Sequence, residues 1–283
     1  MKKKVLKIGT LVLALCLIGG ILYLVTIFTG TPWGWTNAYV QGQKVIANHE
    51  GENYRIAKIV YDFKLADYYV HLTTPNHIDG DFTVRINGDN VFDNYERRVL
   101  GLGNTAARIN EAYREQVDEL MTTFEERYGF GTNCSGYGNI KFPDGQWLYG
   151  CEETDALSPN AVKQAELDLD KEYDVLEMAR TNGYLYLSLQ KEERSFARAA
   201  EILLNLKRIA DEKGIAFYAV EFHIYKELEE GDHSWGPEER ISVSSFLYGD
   251  IYEEGLAERI EAAHNAEMAR IEEMMNGKEN ENS

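Results

Sequence analysis

Glu221 and His223 stand two residues apart in VEFHIY, so on an extended strand both side chains leave from one face while Val220, Phe222 and Ile224 leave from the other. An imidazole beside a carboxylate is the pairing used by a general base and its orienter, or by two ligands of a divalent metal ion. For the metal, His233 in GDHSW offers a further nitrogen. The plainer reading is a solvent-facing row continued by Tyr225, and the sequence favours it. No catalytic, metal or cofactor-binding residue is therefore assigned; Glu221, His223 and His233 stand as weak metal candidates.

Other stretches carry chemistry in outline only. LGLGNTAARI places Gly101, Gly103 and Ala106 in the G-x-G-x-x-A spacing that cradles a pyrophosphate at a helix N-terminus, but such a site needs a parallel strand-helix-strand unit, and the preceding strands read as antiparallel. A loop entering a helix capped by Asn104 or Thr105 is the expectation. HIDGDF and INGDNVFDNYE are rich in oxygen ligands without matching a twelve-residue calcium loop, so turn chemistry accounts for them. The chain has no H-E-x-x-H, G-x-S-x-G or P-loop motif. Its 47 carboxylates include no pair singled out by spacing for glycoside hydrolysis.

The elements that would position such groups begin with the N-terminus. Lys2, Lys3, Lys4 and Lys7 precede a charge-free run from Ile8 to Phe28, which as a helix spans roughly 30 Å, the thickness of a bilayer's hydrocarbon core. The run is longer than a secretory signal's apolar region, with only Thr29 and Thr31 as a poor cleavage site. Leu15 stands where a lipoprotein needs a small residue before its cysteine, so Cys16 reads as a buried hydrophobe. The next cation is Lys44, and the positive-inside rule places residues 1–7 in the cytoplasm and everything after about residue 30 outside. Trp33 and Trp35 suit the outer membrane interface.

Removing the four anchor lysines from 29 cations leaves 25 against 47 carboxylates, a formal charge of 25 − 47 = −22 for the remainder. That field disfavours nucleic acid and anionic membrane surfaces and favours peptides or proteins with basic character, or divalent cations. It also serves solubility. An oxidising exterior permits a disulfide between Cys134 and Cys151, which enclose four glycines and a Pro-Asp-Gly turn.

Between anchor and tail the pattern is α+β. Residues 36–128 read as a helix around Ala38–Ile46, an antiparallel three-strand meander in YRIAKIVYDF, DYYVHLTT and DFTVRI, and a long helix over 104–127 whose apolar stripe is expected to cover that sheet. Residues 129–158 form a glycine-rich cysteine loop or linker. Residues 159–275 read as a second α+β domain with YLYLSL, an amphipathic helix over 194–213 stopped by Gly214, IAFYAVEFHIY, RISVSSFLY and a terminal helix interrupted by Glu267. The strand-helix-strand order there allows one parallel crossover. Residues 276–283 read as a disordered tail. The fold class expected is an N-terminal transmembrane helix followed by two small antiparallel or mixed sheets, each backed by helices.

YVQGQKVIANHEGENYRIAKIVYDFKLADYYVHLTTPNHIDGDFTVRI followed by VFDNYERRVL resembles the YfjL-like group of membrane-anchored proteins of Gram-positive bacteria. There, a lysine-rich start, one transmembrane helix and PWG lead into a helix and a three-stranded meander. The likeness covers roughly residues 1–100 and implies an envelope protein; it carries over no catalytic residues. A more distant likeness to PepSY-type modules, a helix laid on a small antiparallel sheet, implies peptide recognition or peptidase restraint. The function expected is a single-pass, membrane-anchored, extracytoplasmic binding or regulatory module at the cell envelope, without cofactor and without enzymatic activity. The alternative is a carboxylate-dependent hydrolase of cell-wall material.

Overall fold

The computed structural model describes residues 2–129, 133–142, 161–162, 166–190, 192–225 and 240–281. It is an α+β fold in which a long apolar N-terminal helix precedes two four-stranded sheets backed by helices. The chain divides into two compact units: Met1–Thr105 with Leu167–Asp170, and Ala106–Glu166 with Lys171–Ser283.

The first unit opens with helix α1 (Lys2–Thr29), whose apolar run is long enough to cross a membrane. Gly30 breaks it at φ 78°. Helix α2 (Pro32–Asn48) starts at once, because Pro32 takes the first helical position and Thr31 Oγ1 accepts the Gly34 N–H at 3.0 Å. α2 lies on a meander of β1 (Arg55–Asp62), β2 (Asp67–Thr73), β3 (Phe82–Asn87) and β4 (Asn90–Asp93), all antiparallel. Period-2 alternation turns Tyr68, Val70, Leu72, Phe82, Val84 and Ile86 to one face, where they are buried with Ala38 and Val45 of α2. Each such side chain contributes about 1.5–3 kcal/mol by leaving water. Gly42 lets α2 approach, since a Cβ there would collide with Val70. β4 is a strand more than the alternation predicts, joined to β3 by the Gly88-Asp89 turn with Gly88 at φ 58°.

The second unit is built on a mixed sheet of β5 (Cys134–Ile140), β6 (Gly183–Gln190), β7 (Ala219–Tyr225) and β8 (Arg240–Leu247), in that order. β6 and β7 run parallel, joined through α5 (Phe196–Lys213), while the outer pairs are antiparallel. Ser195 caps α5 and Gly214 ends it in the left-handed region at φ 71°. α4 (Val175–Asn182) is capped by Asp174 and leads directly into β6.

Three expectations need correction. The glycine-rich stretch read as a linker contains β5. The long helix, α3 (Gly103–Tyr128), buries Tyr113, Val117 and Met121 against Gly136 and Gly138 of β5 and so covers the second sheet, not the meander. The glycines make β5 the strand that a helix can approach closely, and the Tyr113 hydroxyl donates to the Ala216 carbonyl at 3.0 Å. α6 (Leu256–Glu281) buries Leu256 and Ile260. Its interrupting Glu267 is satisfied by Arg270 at 2.7 Å and by the Ser244 hydroxyl at 2.8 Å, and the Arg270 bond leads in holding that carboxyl below its ordinary range. The helix continues to Glu281 through most of the tail that composition reads as disordered.

Candidate functional site

Register places one row of side chains on the face of the second sheet opposite its apolar face. Tyr137 of β5 lies opposite Tyr186 of β6, Tyr186 beside Glu221 of β7, and Ser188 beside His223, which itself lies opposite Ser242 of β8. The other face carries Leu185, Leu187, Leu189, Val220, Phe222, Ile224, Ile241 and Val243, all buried. The strands therefore sort polar from apolar by the period-2 rule.

His223 sits at the centre of this row. Its Nε2 is 3.0 Å from Glu221 Oε1 and its Nδ1 is 2.9 Å from Ser242 Oγ. An ionised carboxylate only accepts, so Nε2 carries the proton towards Glu221 and Nδ1 accepts from the Ser242 hydroxyl. Serine, histidine and carboxylate in a hydrogen-bonded chain is the order of a nucleophilic triad. Here, however, Ser242 is 3% exposed and His223 7%, so the hydroxyl faces the ring and not an entering substrate. The chain instead ties β7 to β8 and fixes the Glu221 carboxylate, whose side chain is 43% exposed, at the surface.

Around that carboxylate stand aromatic rings. Tyr137 and Tyr186 stack at 4.9 Å with their planes 19° apart, and Tyr186 and Tyr225 flank the imidazole at 5.4 and 5.8 Å. Burial and then the Glu221 charge push the Tyr137 phenol up, and burial leads in raising that of Tyr186. Both phenols therefore remain protonated donors at neutral pH.

The pair singled out by spacing, Glu221 and His223, is thus brought together on one face. Ser242 completes it and has no signal in the sequence, because its place depends on the β7–β8 register. His233 and Cys151 lie outside the described residues. Cys134 is buried, and burial, with Glu125 adding, pushes its thiol up to about 12. Among the described residues no three His, Cys, Asp or Glu side chains converge to hold a metal ion. Trp33 is 84% exposed beside the end of α1, and the Trp35 indole N–H donates to the Thr29 carbonyl at 2.8 Å.

The G-x-G-x-x-A stretch is no phosphate cradle. Gly101 and Gly103 fold against the Arg97 carbonyl, where a Cβ would collide, after a π-helical turn over Glu96–Leu100. Asn104 and Thr105 do not cap the helix. Asn104 Nδ2 donates to the carbonyls of Asp79 and Asp81 at 2.7 and 2.6 Å, and Thr105 Oγ1 to Asp79 Oδ2 at 2.7 Å.

The first unit holds its own titratable cluster. His77 Nδ1 is 2.6 Å from Asp170 Oδ2 and its Nε2 is 3.3 Å from Glu52 Oε2, while Asp170 Oδ1 accepts the Asp79 N–H at 2.9 Å. Carboxylates on both ring nitrogens require both to donate, which is the imidazolium form, and the Asp170 bond leads in raising the His77 pKa.

A helix on an antiparallel meander, followed by a helix-backed mixed sheet, defines a two-unit α+β protein with an apolar N-terminal helix. Residues 118–261 match the model of the YfjL-like C-terminal domain, and the chain belongs to the YfjL-like family. That match falls on the second sheet, whereas the residues that first carried the likeness lie in the first unit. No curated protein and no solved structure matches the chain.

Proposed function

We propose that this protein is a single-pass membrane-anchored binding module whose two units lie outside the cytoplasm and whose second sheet offers its tyrosine face to a peptide of basic character. The observation that carries the reading is the stacked Tyr137–Tyr186 pair beside an exposed, positionally fixed Glu221 carboxylate. Stacked phenols supply large amphipathic contact area at little cost in conformational entropy, and the carboxylate supplies an acceptor for lysine or arginine. The excess of carboxylates over cations in the whole chain favours encounter with such a partner. The four lysines at the start of α1, ahead of its apolar run, and the lack of any lysine or arginine between that run and Lys44 support the orientation.

The test is thermal unfolding of the full chain in nanodiscs against lysine- and arginine-rich peptides, calcium and wall fragments. Basic peptides should raise the midpoint, and the rise should shrink in Glu221→Gln and Tyr186→Ala. Release of soluble product from wall polymer, abolished by one carboxylate substitution, would replace this reading with the hydrolase.

A further inference from the structure

A second membrane contact is written into the first unit. We infer that the β1–β2 hairpin tip, Phe63–Ala66, dips into the boundary between headgroups and hydrocarbon of the same bilayer that α1 enters, so that the first unit stands end-on against the membrane. The inference rests on α1 being a membrane anchor and adds the surface that meets the lipid.

Three observations converge on the tip. The Phe63 ring lies 5.6 Å from that of Phe28, the last residue of the apolar run, which sets Phe63 at the level where the hydrocarbon ends. Phe63 and Leu65 are 49% and 56% exposed on a solvent-facing turn, an arrangement that water disfavours and a lipid boundary favours. Lys64 lies between them, and its ammonium can reach headgroup phosphate while its stem stays in apolar surroundings.

The tip cannot swing away freely, because the end of the sheet is bolted to the end of the helix. The Tyr68 hydroxyl accepts the Thr31 N–H at 2.8 Å and donates to the Thr31 carbonyl at 3.3 Å. Gly30 and Gly34 lie so close to the Tyr68 ring that a Cβ on either would collide with it. Trp35 and Tyr61 pack on the same ring at 5.5 and 4.8 Å. Asp62 Oδ1 accepts the N–H of Lys64 at 2.9 Å and of Leu65 at 3.3 Å, which closes the tip itself. Trp33, next to this junction, adds an indole at the same level, where such rings prefer to sit.

Ile78 supplies the internal control. It is 72% exposed, yet follows β2 at the end of the sheet away from the tip, so exposure alone would predict the same behaviour and membrane proximity would not. The full chain is reconstituted in vesicles of phosphatidylethanolamine and phosphatidylglycerol with a photoreactive benzoylphenylalanine replacing Phe63, Leu65 or Ile78 in turn. After irradiation and digestion, mass spectrometry should find phospholipid adducts at positions 63 and 65 and several-fold less at 78. Equal yields at all three positions, with the protein still floating with the vesicles, would overturn the tip contact and leave the anchor standing. Failure to float would overturn the anchor and the tip together. Phe63→Ser with Leu65→Ser should leave flotation unchanged, since α1 alone carries the insertion.

Discussion

The two sheets are the same size and use polar groups in opposite ways. In the meander, polar side chains close gaps in the fold. Asp67, its side chain 1% exposed, pairs with Arg85 at 2.8 Å and accepts from Asn87, and Asp170 reaches His77 across 93 residues of sequence. In the mixed sheet, Ser242, His223 and Glu221 form a chain that ends at the surface, on a carboxylate flanked by stacked rings. A buried polar group that satisfies its neighbours is explained by stability, whereas one that delivers a charge to an aromatic face is not. That difference is why the second sheet, and not the better-connected cluster at His77, is the candidate binding surface.

The sharpest way to break the comparison is to damage one sheet and watch the other. Phe222 is fully buried beneath the tyrosine face, and Phe222→Ala should cost about 3–5 kcal/mol. Hydrogen exchange should accelerate in β6–β8 while β1–β4 keep their protection; equal loss in both would mean that they unfold as one. Next in size is the cysteine pair. If Cys134 and Cys151 are bridged across 16 residues, reduction should cost about 3 kcal/mol. Because a bridge needs an oxidising exterior, the measurement also reports orientation. Denatured, unreduced protein from cells should show one reactive thiol, Cys16, and three after reduction; three at the outset would remove both the bridge and the argument for export that rests on it. The smallest effect is at His77. Its folded pKa is raised, so its contribution is complete below the unfolded value of about 6.5 and fades as pH rises through the folded value. The midpoint should fall over that upper window, and His77→Gln should flatten the slope without touching peptide binding.

How much of this was legible follows from how far each feature reaches along the chain. β2 and β3 announce themselves by alternation, and their partners sit across short turns, so the meander can be read locally. β5 cannot: CSGYGNI has no apolar alternation and one branched residue, Ile140, at its end, and it is a strand because Gly136 and Gly138 leave space for Val117 and Met121. The stripe of α3 is plain in the sequence, but amphipathicity tells only that a helix covers something, not which sheet. Glu221 and His223 are visible as a pair through strand period alone. Ser242 is not, because its contact requires the register between β7 and a strand that begins after residue 239.

The order of strands along the chain also has a consequence for biosynthesis. The meander is contiguous within residues 55–93, so a polypeptide emerging N-terminus first can complete it while the ribosome is still adding the rest. β5 must wait for β6, paired from Cys134 to Leu189, and β7 waits in turn for β8. For that interval the glycine strand and the apolar side of α3 have no completed partner, and this is where a chaperone would find its grip.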